Sequence, residues 1–276
     1  MKPEIKQLSL DDVAELLLWA KAEGWNPGLD DAEPFQAADP SGFLGCFVDG
    51  RMAAGISAVT SGPDFGFIGL YICHPDFRGQ GLGKRVWDAG MDHLGNRTIG
   101  LDGVPAQQEN YRRKGFAPAY RTWRFSGTFT PIHVDHPVSI VTGTNTEIAT
   151  FDRNFYPGIR REFLARWLGA PRITRTIRHE GELQGYGVLR KCHHGYKIGP
   201  LFAARVEDVG HIFDALCAET NGEVVSIDVP ETASTFSDTL AALGFERSFD
   251  TMRMYRGQVP DIDMSGIFGV TTLELG

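Results

Sequence analysis

Eleven consecutive residues carry most of the chemistry legible in this chain of 276: His74-Pro75-Asp76-Phe77-Arg78-Gly79-Gln80-Gly81-Leu82-Gly83-Lys84. They follow a strand-like apolar run, Phe65–Cys73. They precede a helical pattern that sets Val86, Trp87, Gly90, Met91 and Leu94 on one face. Glycines at such a junction let the backbone turn tightly and approach a ligand closely. Their N–H groups, added to the positive end of the helix dipole, form an anion site. A pyrophosphate fits that description, with Arg78 and Lys84 as flanking cations. Two other phosphate loops are excluded. A Walker loop needs Ser or Thr after the lysine, and Arg85 stands there. The dinucleotide spacing G-x-G-x-x-G fails, because Gly79-x-Gly81 leads to Lys84 and Gly81-x-Gly83 leads to Val86.

Charge agrees with a small phosphorylated ligand. The formal net charge is −8, which argues against broad nucleic-acid binding, since that needs phosphate neutralisation over a wide surface. Residues 1–50 hold three Lys+Arg against ten Asp+Glu, a local charge of −7. Residues 78–124 hold nine basic and four acidic residues, or +5. A solvated basic face with no ligand explains the second stretch equally well on charge alone. Four scattered cysteines, Cys46, Cys73, Cys192 and Cys217, have no paired spacing and are expected to be free thiols. Cys192-His193-His194 reads as a turn, and no metal site is expected. No apolar run is long enough to span a bilayer, and the first twelve residues lack a signal core. The expectation is a cytoplasmic protein without membrane partners.

The elements that position the loop can be traced. Ser9 and Asp12 make a capping box, and Val13, Leu16, Leu17 and Ala20 line a helix that Gly24 ends. Trp25-Asn26-Pro27-Gly28 must be a loop. Strands are expected at Gly42–Val48 and Met52–Thr60 around an Asp49-Gly50 turn, and at Thr98–Asp102 and Arg121–Phe125. A helix is expected around Gln107–Lys114. Residues 126–146 read as a linker with a strand at Val138–Val141. A second series follows, with one helix over Asp152–Leu168, strands at Glu182–Arg190 and Tyr196–Leu201, and a helix at Val206–Cys217 facing inward through Val206, Val209, Gly210, Phe213 and Cys217.

The two series repeat each other. Ile99-Gly-Leu-Asp102-Gly-Val-Pro105 parallels Val225-Ser-Ile-Asp228-Val-Pro230. Counted from Gly115 and Gly244, an aromatic falls at five (Tyr120, Phe249), Thr at seven (Thr122, Thr251) and Arg at nine (Arg124, Arg253). Agreement at so many offsets indicates an internal duplication. Where the glycine loop should recur stands Ile198-Gly-Pro-Leu-Phe-Ala-Ala-Arg205. Pro200 removes a donor, and Leu201-Phe202 fill the space glycines would leave open.

R-x-x-G-x-G after a strand of this kind resembles the pyrophosphate loop of the GCN5-related N-acetyltransferase (GNAT) superfamily. Asn110-Tyr111 with Lys114-Gly115-Phe116 resembles the segment that follows it there. The resemblance covers residues 4–127. The whole layout is similar to a bacterial subgroup with two such domains in tandem. It implies an α/β fold with a mixed sheet: a GNAT domain at 1–130, a linker at 131–146, and a degenerate GNAT-like domain at 147–276. It implies that Arg78, Gly79, Gln80, Gly81, Leu82, Gly83 and Lys84 hold acetyl-CoA, and that an N–H at Ile72 or Cys73 polarises the thioester carbonyl. Asn110 would bond the cofactor, and Tyr111 would protonate the leaving thiolate; a core aromatic and a surface asparagine are the plain alternatives. Trp25, Asn26 and Asp30 would lie in the loop that borders the acceptor in such folds, although a Trp after a helix is more often a packing cap than a ligand contact. Asp102 recurs as Asp228 in the half without a glycine loop, which favours a shared turn over a catalytic base.

The expected activity is acetyl transfer to an amine of a small molecule or peptide in the first domain, the −7 stretch favouring a cationic acceptor if it faces the cleft. The rival is a non-catalytic acyl-CoA sensor or recruiting module.

Overall fold

The computed structural model describes residues 2–131, 138–141 and 146–276, the side chains of residues 140 and 141 excepted. Most of the expected linker, residues 132–137 and 142–145, lies outside the described residues.

The first half runs β1 (Glu4–Gln7), α1 (Leu10–Ala22), α2 (Ala32–Ala38), β2 (Phe43–Val48), β3 (Arg51–Thr60), β4 (Phe65–Cys73), α3 (Leu82–Leu94), β5 (Thr98–Gly103), α4 (Gln108–Arg113) and β6 (Ala117–Gly127). The second runs β7 (Val138–Val141), α5 (Thr146–Asp152), α6 (Arg161–Trp167), β8 (Ile173–His179), β9 (Glu182–Lys191), β10 (Tyr196–Ala203), α7 (Val206–Cys217), β11 (Val225–Pro230), α8 (Ser234–Ala242), β12 (Glu246–Arg256) and β13 (Ile267–Gly269).

Local chemistry accounts for much of this. The Ser9–Asp12 capping box starts α1, with Val13, Leu16, Leu17 and Ala20 buried. Asp49 and Gly50 both take left-handed backbone, φ 49° and 79°, as a two-residue hairpin turn requires. Two expectations are corrected. Residues 152–168 are not one helix, because Pro157 and Gly158 interrupt the run. The Asp152 carbonyl accepts the N–H groups of Phe155 and Tyr156 (3.0 and 2.9 Å), closing a turn between α5 and α6. On α7 the buried face is Asp208, Val209, Ile212, Phe213 and Leu216, while Val206 and Gly210 are exposed.

All thirteen described strands join one sheet, in the order β1-β2-β3-β4-β5-β12-β6-β11-β10-β9-β8-β7, with β13 on β10. On one face α1, α2, α5 and α6 share a single core, in which Phe35 stacks on Trp167 across the halves (6.0 Å). On the other face each half keeps its own core, under α3 and under α7 with α8.

The order of strands reveals an exchange. β12, the counterpart of β6, sits between β5 and β6, and β6 pairs with β11. Thr122 lies opposite Thr251 in the central antiparallel ladder. Equal repeat positions therefore meet at a local pseudo-two-fold axis. Arg124 donates from Nε and Nη2 to Asp228 at 2.7 and 2.8 Å, and Arg253 donates likewise to Asp102 at 2.8 Å each. Each guanidinium also lies over the aromatic of the other half, Phe249 at 5.3 Å and Tyr120 at 5.6 Å. The repeated residues are thus the reciprocal joint. The structural reading of Asp102 stands, but its cause is this ion pair and not a shared turn.

Candidate active site

β4 runs parallel to β5 only from Phe65 to Ile68. Its register against β3 then slips between Gly69 and Ile72, and Leu70 takes φ 46°. This bulge bends the strand, and β4 splays away from β5. A cleft of about 620 Å³, part of it continuous with solvent, opens at the split. Gly69, Leu70 and Tyr71 form one wall, and Leu101, Asp102 and Val104 the other. Tyr111 and Gln107 close one side. Trp25, Arg124, Phe249, Thr251, Leu273 and Glu274 close the rest.

Backbone polarity at the split follows from alternation. The His74 N–H donates to Ala53 on β3 (2.9 Å). N–H directions alternate along a regular antiparallel strand, so that of Cys73 turns away from β3 toward the gap, while that of Ile72 faces β3. Ile72 is buried against the shared core. Of the two expected donors, Cys73 faces the gap and Ile72 does not. The Cys73 carbonyl, on the same side, accepts from Arg78 Nε at 3.1 Å.

The glycine loop sits beyond the end of β4. Pro75–Phe77 forms a 3-10 turn, and Gly79 and Gly81 take φ 78° and 75°. Gly81 caps α3, and a side-chain carbon at Gly79 or Gly81 would meet no protein atom within 4 Å. The left-handed backbone and the open space in front of it are what a closely approaching ligand needs. Arg78 Nη2 donates to Glu23 at 2.6 Å, and Lys84 pairs with Asp88 one helical turn on. Gln80 donates to the Asp76 carbonyl (3.3 Å), Gly83 borders the Tyr71 hydroxyl, and Leu82, the first residue of α3, is buried.

Two phenols flank the cleft. Tyr111 stacks on Trp87 (5.7 Å), and Tyr71 meets the same indole edge-on (5.2 Å). Burial, and then the neighbouring Tyr71, pushes the Tyr111 hydroxyl up beyond the usual phenol range. Burial also raises Tyr71, and the Cys73 thiol with it. Both phenols are therefore proton donors at neutral pH. The other expected site residues fall elsewhere. Asn110 lies on the exposed side of α4 and donates to Gln107 (2.7 Å). Asn26 exchanges two hydrogen bonds with the His194 backbone, both 2.9 Å, and so stitches its loop to the second half. Asp30 offers its carbonyl to Arg172 (2.6 Å). Trp25 alone of these three lines the cleft, and its carbonyl accepts from Arg124 and Lys197 (3.0 and 3.3 Å). No carboxylate from residues 1–50 lines the cleft; those that do are Asp102 and Glu274. Sequence reasoning had noted Arg124 as a repeat residue but had no signal for Tyr71, Leu273 or Glu274.

The equivalent split in the second half is closed. β10 runs parallel to β11 only from Tyr196 to Ile198, then bulges before Leu201. β13 enters the gap and pairs with Leu201 and Phe202, and the Val270 N–H donates to the Asp228 carbonyl (2.9 Å). Among the described residues no group of three or more His, Cys, Asp or Glu is placed to hold a metal ion, and no helix is long and apolar enough to cross a membrane.

A bulged strand followed by a helix, built twice around one sheet and carrying a glycine turn in the first copy, defines a tandem acyltransferase of the acetyltransferase type. Family models for the acetyltransferase (GNAT) family and the acetyltransferase (GNAT) domain match residues 10–116 and 148–269. Holothin acyltransferase of Pseudoalteromonas sp. (strain SANK 73390) is 34% identical over 98% of this chain and 94% of its own. The chain belongs to the GNAT superfamily, with two domains in tandem, and is an acyltransferase. A crystal structure of a candidate acetyltransferase from Pyrococcus horikoshii shares the fold, with a TM-score of 0.84 at 19% identity over 99% of this chain and 96% of that one. A tandem GNAT protein of the clavulanic acid biosynthesis pathway aligns with a TM-score of 0.61 at 17% identity over 94% and 100%.

Proposed function

We propose that the protein transfers an acetyl group from acetyl-CoA to an amine of a small molecule, and that it does so in the cleft of the first half alone. One observation carries this reading: the β4–β5 split is open and faces a glycine turn, whereas the β10–β11 split is filled by β13. In this reading the N–H groups of Gly79 to Gly83 and the start of α3 receive the pyrophosphate. The thioester carbonyl lies along β4 and accepts a hydrogen bond from the N–H of Cys73, where charge develops in the tetrahedral intermediate. The amine attacks the carbonyl carbon, the C–S bond breaks on collapse, and Tyr111 gives its proton to the leaving thiolate. The second half contributes Phe249 and Thr251 to the acceptor side.

The relative's name makes holothin a reasoned member of the acceptor panel. The test is titration calorimetry with acetyl-CoA, followed by thiol release with holothin and a set of primary amines. One site per chain and amine-dependent thiol release are expected. Two equivalent sites, or tight binding with no release for any amine, would count against the reading.

A further inference from the structure

The segment Val270–Gly276 threads between the halves and is fixed along its length. Thr271 accepts from Arg160 Nη2 (2.9 Å), and the Thr272 hydroxyl and carbonyl receive the N–H groups of Leu275 and Gly276 (2.9 and 3.1 Å). The Glu274 carbonyl accepts from Ser57 on β3 (3.2 Å) and lies directly on Gly69, where a side-chain carbon would collide with it. This clamp fixes Glu274 in the cleft wall, with a residue exposure of 3%. Its Oε2 is buried and has no hydrogen-bond partner. A buried carboxylate oxygen without a donor is costly, and native structures leave few of them.

The surroundings tell what is missing. Arg124 from β6 and Lys197 from β10 feel the Glu274 charge, but their hydrogen bonds go to Asp228 and to the Trp25 carbonyl. Asp102 on β5 is occupied by Arg253 through both oxygens. Tyr71 and Tyr111 complete the wall. Glu274 is thus the cleft carboxylate with an oxygen to spare, and a positively charged donor is the group that satisfies it best.

We infer that Glu274 is the general base of the reaction: its free carboxylate oxygen receives the ammonium group of the acceptor and takes one proton from it. This rests on the acyl-transfer reading above and deepens it. The proton moves from R–NH3+ to the carboxylate, and the freed lone pair forms the C–N bond at the thioester carbon. As the C–S bond breaks, the thiolate takes a proton from the cleft phenol, and the phenol recovers one from the new amide nitrogen. The Glu274 proton leaves to solvent, so one proton is released per turnover. The base therefore comes from the second half of the chain, although the acyl group is held by the first.

The test uses the full chain with acetyl-CoA and n-butylamine as probe. Glu274→Gln keeps the shape and removes the charge. Its acetyl-CoA affinity should stay within about twofold by calorimetry, while thiol release at neutral pH falls roughly 10²–10⁴-fold, the scale of a general base. The acid limb of the wild-type rate profile should vanish in the variant. A second measurement needs no variant and no turnover: the carboxyl ¹³C signal of Glu274 in the labelled wild type should shift when n-butylammonium is added to the CoA complex, and n-butanol should leave it in place. Equal turnover by the variant, an unchanged acid limb, or a Glu274 signal indifferent to the amine overturns the assignment while leaving acyl transfer intact. Failure of acetyl-CoA to bind the wild type strikes the acyl-transfer reading itself and removes the inference with it.

Discussion

The β4–β5 and β10–β11 splits descend from one design and have opposite fates. Both strands bulge where their parallel partner ends. In the first half the opened edge meets Gly79 and Gly81, and the gap stays open. In the second, the stretch expected to replace the glycine loop is itself strand: Pro200 and Leu201 lie in β10 at its bulge, only Ala204 and Arg205 separate β10 from α7, and β13 takes the space, with Phe268 set edge-on to Phe236 at 5.9 Å. A splayed strand exposes unpaired backbone groups, which must find a partner. The contrast teaches that a ligand or the chain itself will serve.

The comparison breaks most violently if the halves are parted. Residues 1–130 expressed alone lack β12, which leaves β5 and the long β6 as bare edges. They should show no cooperative thermal unfolding and should aggregate, whereas the full chain melts as a unit; a sharp melt of the fragment at the full chain's temperature would refute the exchange. Next in size is Gly81→Asp, which puts a carboxylate where the pyrophosphate is proposed to lie. Acetyl-CoA affinity should drop by roughly two orders of magnitude or more, from repulsion in a partly desolvated site. Pro200→Ala in the other half should leave it unchanged, and calorimetry on both, with melting as control, decides.

The reciprocal ion pairs sharpen the contrast. Burial pushes Asp228 up, but Arg124, and then Lys197, outweigh it and hold the carboxyl below its ordinary 3.8. Asp102 has Arg253 alone, and burial keeps it above 3.8. Breaking a buried pair costs about 3–5 kcal/mol, so Asp228→Asn should approach that loss in denaturant unfolding at pH 7, and Asp102→Asn should cost less. The signs also differ with pH. The contribution of ionised Asp228 is present above pH 3.8 and lost as pH falls through its lower folded value; that of Asp102 is present below 3.8 and lost as pH rises through its higher one. Asp228→Asn should therefore flatten the acid side of the stability curve, and equal curves for the two variants would defeat the asymmetry. The smallest change in binding, though not in rate, is expected of Tyr111→Phe. It should lower kcat roughly 10- to 1,000-fold at nearly constant acetyl-CoA affinity and melting temperature. Loss of rate that tracks loss of melting temperature would make Tyr111 a packing residue.

Legibility in the sequence followed the range of the forces involved. The capping box, the Asp49-Gly50 turn, the limits of β4 and the glycine turn are set by neighbours in sequence, and each could be read directly. The offsets of Thr122, Arg124 and their repeats were visible, but their meaning was not, because each Arg finds its Asp 104 or 151 residues away in the other half. Position alone could not separate Cys73 from Ile72; the direction of their N–H groups needed the β3 register. Glu274 was silent for a plainer reason. Nothing in Thr-Thr-Leu-Glu-Leu-Gly states that this segment crosses to Gly69, since that contact exists only after both halves have folded.

The strand exchange has a consequence for symmetry. The β6–β12 ladder has the geometry of two identical subunits swapping an arm, yet it lies within one chain. In a true homodimer every substitution appears twice, so closing one cleft would close the other and abolish the activity. Fusion of the copies removes that constraint. Each copy can then drift alone, and the partner cleft becomes spare material from which a plug and a reaching arm can be made. The covalent link also fixes the local concentration of each copy at the other's side, so the joint persists at any dilution of the protein.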